Sequence, residues 1–181
     1  MNNSDIIVFE DINFENLVRE AINKQTGQLT TSEVISIIEL RGFGRDIKSI
    51  KGIEHCTGLK KLYLSTNKIN DITYLENLVN LEELGLLYNQ ISDLTPLNDL
   101  INLSYLGIQT NNLIYIDALT NLTNLHLLKI GNNHITDINP LVQNQGFGAN
   151  DKINLVGNPL NDISINKYIP QLRTRGVIVV Y

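Results

Sequence analysis

Leu81-Glu82-Glu83-Leu84-Gly85-Leu86-Leu87-Tyr88-Asn89-Gln90-Ile91-Ser92-Asp93-Leu94-Thr95-Pro96-Leu97-Asn98-Asp99-Leu100-Ile101-Asn102 decides the architecture, because its apolar frame returns on both sides of it. Twenty-two residues earlier the same places hold Leu59, Leu62, Leu64, Asn67, Ile69, Ile72, Leu75 and Leu78. Twenty-two later they hold Leu103, Leu106, Ile108, Asn111, Leu113, Ile116, Leu119 and Leu122. The next copy runs Leu125, Leu128, Ile130, Asn133, Ile135, Ile138 and Leu141, with Asn144 at the last apolar place. Two worn copies flank these four. Before them stand Ile37, Leu40, Ile47, Ile50, Ile53 and Cys56, where Gly42 and Arg45 replace the leucine and asparagine of the other copies. After them Ile153, Leu155, Asn158, Leu160 and Ile163 fit a rung that opens near Asn150, displaced by three residues around Gln145-Gly146-Phe147-Gly148.

A repeat of 20–29 residues spaced L-x-x-L-x-L/I-x-x-N-x-I/L is the mark of a leucine-rich-repeat solenoid. The expected fold is an α/β solenoid, a right-handed horseshoe of about six rungs. Its concave side is a parallel β-sheet, and its convex side is made of 3₁₀ turns and irregular segments. Alternation places Leu62 and Leu64 inside and Tyr63 outside. Each buried leucine contributes roughly 1.5–3 kcal/mol, so the inward columns are the main driving force. Asn67, Asn89, Asn111, Asn133 and Asn158 fall at the turn leaving each strand; a stacked asparagine column can satisfy backbone groups that the turn removes from the ladder. Asp71, Asp93 and Asp137 precede the next turn and can cap it. Pro96 and Pro140 share one place there, where a fixed φ helps.

One domain spanning 1–181 is expected, with a helical cap over 5–36, repeats over 37–163 and a second cap over 164–181. Phe14, Leu17, Val18, Ala21 and Ile22 follow the spacing of an amphipathic helix, which Gly27 should end. Thr30-Thr31-Ser32-Glu33 reads as a capping box that opens a second short helix. Near the other end Ile165, Ile169 and Leu172 mark a helix with Ser164 as its N-cap, kinked or broken by Pro170 and stopped by Gly176. Val177 to Tyr181 should then form a last strand.

The 181 residues carry a net charge of −5 and no basic run, which argues against a nucleic-acid partner. No apolar stretch reaches the ~20 residues of a membrane-spanning helix, so no membrane insertion is expected. Cys56 is the single cysteine and sits at an inward place, where a small buried hydrophobe is the reading. His55, His126 and His134 point in different directions. No nucleophile has a histidine at the matching place one rung away, and neither a phosphate loop nor H-E-x-x-H is present. No catalytic residue, cofactor or metal is expected. Asn2-Asn3-Ser4 and Asn121-Leu122-Thr123 match a glycosylation triplet without further support.

The stretches Phe9-Glu10-Asp11 to Val18-Arg19-Glu20-Ala21-Ile22, Gly27-Gln28-Leu29-Thr30 and Ile47-Lys48-Ser49-Ile50-Lys51-Gly52-Ile53-Glu54 resemble the cap and first repeat of bacterial internalin-type surface proteins. So do Asn89 to Leu97, and the closing Asn158-Pro159-Leu160, Tyr168 to Leu172 and Arg175-Gly176-Val177. The resemblance implies a secreted or wall-attached recognition module that binds a protein through its concave face. The amino end, Met1 to Asp5, lacks the basic and long apolar regions of a secretion signal. A mature fragment would therefore belong at the cell surface, and a chain that starts natively at Met1 in the cytoplasm. An intracellular scaffold, similar to the leucine-rich regulatory subunit of a phosphatase, and a rigid spacer are the other readings.

The outward places suggest where a partner would bind. Phe43, Tyr63, Glu83, Gly85, Leu87, Tyr105, Gly107, Gln109, Leu127 and Lys129 are the candidates, in a protein expected to be a monomer. Solvent-facing strand positions need no aromatic or leucine for folding. Gly85 and Gly107 should leave a shallow floor between Tyr63 and Lys129. Two readings of this row compete, a binding face and lateral packing between neighbouring strands. The insertion around Phe147 reads first as a simple cap-adjusting loop, with a second candidate surface as its alternative.

Overall fold

The computed structural model describes residues 6–181, so the leader question at Met1–Asp5 and the Asn2-Asn3-Ser4 triplet lie outside the described residues. Seven short strands form one parallel sheet in sequence order: β1 (Glu39–Arg41), β2 (Lys61–Tyr63), β3 (Glu83–Gly85), β4 (Tyr105–Gly107), β5 (Leu127–Lys129), β6 (Lys152–Asn154) and β7 (Ile178–Val180). The middle residues Leu40, Leu62, Leu84, Leu106, Leu128, Ile153 and Val179 are in register across it and all buried. Six strands belong to the repeats and the seventh to the closing segment. On the other side of each rung the chain returns through turns such as Thr73–Leu75, Thr95–Leu97 and Asp117–Asn121. The fold is a leucine-rich-repeat horseshoe.

The asparagine column explains how the rungs turn. Each Oδ1 accepts a backbone N–H from the previous rung: Ile47 to Asn67, Ile69 to Asn89, Ile91 to Asn111, Leu113 to Asn133 and Ile135 to Asn158, all at 2.9–3.1 Å. Each Nδ2 donates to two carbonyls, for Asn89 those of Leu64 at 3.0 Å and Leu86 at 3.1 Å. The aspartates behave as expected: Asp71, Asp93 and Asp137 accept the N–H of Thr73, Thr95 and Asn139 at 2.8–2.9 Å.

The worn first rung is completed by the cap. Helix α1 (Ile12–Ala21) sends Leu17 into the space that a side chain at Gly42 would take. Arg45 donates through Nη1 and Nη2 to the two carboxylate oxygens of Glu20, at 2.9 and 2.7 Å. Asp11 accepts the first amides of α1 with one oxygen and the Lys48 and Ser49 amides with the other. Burial pushes its carboxyl up, but these backbone donors outweigh that and hold it below the usual range. Phe14, Leu17 and Val18 are buried as the spacing predicts, whereas Ala21 is exposed and Ile22 half-buried. The helix ends at Asn23 in the left-handed conformation, ahead of the expected stop at Gly27. In α2 (Thr31–Val34) the capping box forms, with the Glu33 carboxylate accepting the Thr30 N–H at 2.9 Å.

At the far end three expectations change. A short helix α3 (Asn139–Gln143) forms there, with Pro140 in its first turn. The insertion after it fits the cap-adjusting loop and not the second surface: Phe147 is only 2% exposed, and Asn144, fully buried, donates to the Leu119 and Leu122 carbonyls while accepting the Gly146 N–H. An apolar ring beside an open rung end gains more from burial than from solvent. Secondly, Ile163 fits the inward pattern but is exposed, because the closing helix turns away from the repeat register there. Thirdly, Asn161 and not Ser164 caps that helix: Asn161 Oδ1 accepts the Ser164 N–H at 2.8 Å. Ser164 is buried and bridges the Ile138 amide and the Thr136 carbonyl. Pro170 is absorbed by a π-helical turn, Ser164–Tyr168, that runs straight into α4 (Ile169–Thr174). The wider turn takes up the interruption that proline's missing N–H imposes.

Candidate functional site

The register sorts the outward side chains into rows. One row reads Glu39, Lys61, Glu83, Tyr105, Leu127, Lys152 and Ile178; the next reads Arg41, Tyr63, Gly85, Gly107, Lys129, Asn154 and Val180. Neighbours in a row are about 4.8 Å apart, close enough for every side chain to touch the next.

Over the first three strands the rows form a linked polar network. Arg41 pairs with Glu39 and places its guanidinium carbon 4.4 Å from the centre of the Tyr63 ring. The Tyr63 hydroxyl donates to Glu83, which also pairs with Lys61 at 2.5 Å. Burial, then the hydrogen bond to Glu83, pushes the Tyr63 phenol up to about 12. The same contacts, Lys61 first and Tyr63 second, hold the Glu83 carboxyl below its ordinary value.

Beyond this network the face is more apolar. Tyr105 and Leu127 are half-buried, and the Lys129 ammonium lies 5.8 Å from the centre of the Tyr105 ring. The floor expected at the two glycines is not open. The Tyr63 ring lies over Gly85, and the Tyr105 hydroxyl with Leu87 lies over Gly107. A ring beside a residue without a β-carbon can lie flat on the backbone and lose water from both surfaces. Both glycines are buried in consequence, and the face presents covering side chains where an entry pocket was expected.

No protein-family model and no curated protein matches the sequence. Solved structures do. An internalin (InlF) from Listeria monocytogenes is similar at 25% identity over 99% of this chain, with a TM-score of 0.79. The chain spans 59% of that protein's resolved length. Internalin C2 (InlC2) from the same organism is similar at 25% identity over 99% of both chains, with a TM-score of 0.57. The functional domain of InlJ, also from L. monocytogenes, is 27% identical over 88% of this chain and 39% of its own, with a TM-score of 0.64.

The chain has an internalin-type leucine-rich-repeat fold.

The InlJ domain is described as including a cysteine ladder. Here the internalin-type stack carries one cysteine, Cys56, and its buried column is asparagine. Burial pushes the Cys56 thiol up to about 12, which removes the thiolate that reactivity requires. The comparisons indicate no catalytic family. Of the histidines, His126 approaches Asp151 at 3.0 Å and His55 lies 3.8 Å from Glu54. Among the described residues no group of three or more His, Cys, Asp or Glu could hold a metal ion, and no helix is long and apolar enough to cross a membrane.

The structure lays the candidate face residues along one surface but in different states. Phe43 stands out at 74% exposed, Leu87 and Gln109 are half-buried, and Gly85 and Gly107 are covered. Two residues missed from the sequence extend the same rows: Ile178 and Val180 on β7, both about half exposed. Their alternation with buried Val177 and Val179 was the available signal. Tyr88 was also missed; it is 57% exposed and sits at the turn leaving β3 in the left-handed conformation. A second asparagine column escaped notice too. Asn80, Asn102 and Asn124, one repeat apart, donate to the Thr57, Val79 and Ile101 carbonyls at 2.9, 2.8 and 2.7 Å on the exposed flank.

Proposed function

We propose that this chain is a non-catalytic recognition module that binds a protein through the outward face of its sheet, displayed on or released from a bacterial cell. The observation that supports it is the Tyr63–Tyr105 surface. Arg41 lies over the ring of one and Lys129 near the ring of the other, at positions where strand formation requires neither aromatic. Tyrosines grouped with cations on an open sheet fit a broad macromolecular partner better than a small ligand, and tyrosine and arginine dominate the energetics of such interfaces. Phe43 at one end and Ile178 and Val180 at the other would extend the contact along the solenoid. The module acts as a monomer, and the internalin-type fold of its structural neighbours supports a place outside the cell.

The test pairs capture with mutation. Immobilised chain is used to capture proteins from host-cell surface extracts, and the captured protein is titrated against native chain and a Tyr63→Ala/Tyr105→Ala variant. Loss of each tyrosine hot spot costs about 2 kcal/mol or more, so the double variant should bind weaker by roughly three orders of magnitude where the two losses add. It should remain folded, because neither side chain reaches the leucine core. Full-strength binding by the variant overturns the face. A chain with no saturable partner is a spacer.

A further inference from the structure

The repeat supplies its own control for what each place needs to fold. At the thirteenth place of a rung an oxygen acceptor receives the N–H two residues on: Ser49 from Lys51, Asp71 from Thr73, Asp93 from Thr95 and Asp137 from Asn139. The rung opening at Leu103 has Tyr115 there, which gives up this cap and is 76% exposed. The preceding place is polar in the other rungs, as Lys48, Asn70, Ser92 and Thr136; here it is Ile114, 50% exposed. Two adjacent departures therefore remove a local hydrogen bond and put apolar surface into water on the convex side, away from the sheet. Folding explains neither.

The surroundings indicate what covers them. Tyr115, Ser92, Asp93, Thr95 and Asp117 line a depression of about 380 Å³. Between Lys68 and Lys129 the chain has no lysine or arginine and seven acidic residues. Glu82 and Glu83 are paired with Lys60 and Lys61 toward the strands. Asp93, Asp117 and Asp137 join no ion pair among the described residues. We propose that Ile114 and Tyr115 form a second docking surface, independent of the sheet face, for an arginine-bearing protein segment. A guanidinium stacks on the Tyr115 ring while Asp93 and Asp117 take its charge, and Ile114 covers the aliphatic stem.

Hexa-arginine and hexa-lysine peptides serve as probes, titrated calorimetrically against the full chain at about 0.15 M salt. The decisive variant is Ile114→Thr/Tyr115→Asp, which copies the neighbouring Thr136-Asp137 and so restores the cap while adding a negative charge. Hexa-arginine should bind the native chain more tightly than hexa-lysine, and the variant about tenfold more weakly. The variant should melt no lower than the native chain, and Tyr63→Ala/Tyr105→Ala should bind the peptides unchanged. General charge attraction predicts the reverse, tighter binding by the more acidic variant. That outcome, equal binding by both, or no binding of hexa-arginine by the native chain overturns the proposal.

Discussion

Replacing Asn89 by alanine tests whether the buried column holds the rungs together. The side chain makes three strong contacts: it accepts the Ile69 N–H at 3.0 Å and donates to the Leu64 and Leu86 carbonyls at 3.0 and 3.1 Å. The two carbonyls are not orphaned by its loss. Leu64 keeps the Nδ2 of Asn67 at 2.8 Å, and Leu86 keeps that of Asn111 at 2.9 Å. The Ile69 amide, inside a fully buried residue, has no such reserve. One buried unsatisfied donor costs about 1–3 kcal/mol, so Asn89→Ala should lose that amount rather than three times it. In a chain of this size each kcal/mol lowers the melting midpoint by roughly 2–4 °C. Urea unfolding gives the free energy, and amide exchange should show Ile69 losing protection first. Asn80→Ala on the exposed column is the control: water replaces its bond to Thr57, and the cost should stay within about 0.5 kcal/mol. Equal losses from the two substitutions, or an unchanged midpoint for Asn89→Ala, refute the accounting.

Other consequences are as direct. Thr110 holds a left-handed backbone, φ 55°, that costs a β-branched residue about 1–2 kcal/mol, whereas Asn132 occupies the same place one rung on; Thr110→Asn should raise stability by about 0.5–1 kcal/mol in urea unfolding. Phe147→Ala should cost about 3–5 kcal/mol, as for a core aromatic, and a loss below about 1 kcal/mol would return the insertion to the surface. Tyr63 should titrate near pH 12, seen as tyrosinate absorbance, and fall only part of the way back in Glu83→Gln, because burial still holds it up. Its raised pKa means that the unfolded chain loses this proton first, so stability should decline as pH rises from about 10 to 12. An unshifted titration in Glu83→Gln would remove Glu83 as a cause.

How much of this was legible in the sequence depended on the range over which a residue's position is determined. The leucine and asparagine columns were readable because a one-residue slip would turn every strand over, so a repeat of this regularity admits one register. The aspartate caps and the Thr30–Glu33 box were readable because they join residues two or three apart. The tyrosines that cover Gly85 and Gly107 were not. Spacing says which side chains face outward but not whether a ring stands up or lies on its neighbour. Phe147 was ambiguous for a related reason: three extra residues announce a changed loop without saying which side chain fills the open edge of the rung. At Asn23 the helix stopped before the expected Gly27 because asparagine also adopts the left-handed conformation.

The eighth place of each rung shows how such a stack distributes strain. It is left-handed throughout: Gly44, Thr66, Tyr88, Thr110, Asn132 and Gly157 all have φ between 52° and 79°. The conformation is structural, since it delivers the next residue, the ladder asparagine, to the interior. The amides of Thr66, Tyr88, Thr110 and Asn132 still bond the next rung at 2.7–3.0 Å. Glycine takes this shape without cost and asparagine with little. Those residues stand in the first and the last two rungs, while threonine and tyrosine stand between them. In a solenoid each rung is stabilised by its neighbours, and the rungs of Thr66, Tyr88 and Thr110, each paired on both sides, tolerate a strained residue. Neighbours on both sides therefore give these rungs latitude at this place. Tyr88 uses it to hold an exposed ring at the rim of the sheet, which a glycine there would not supply.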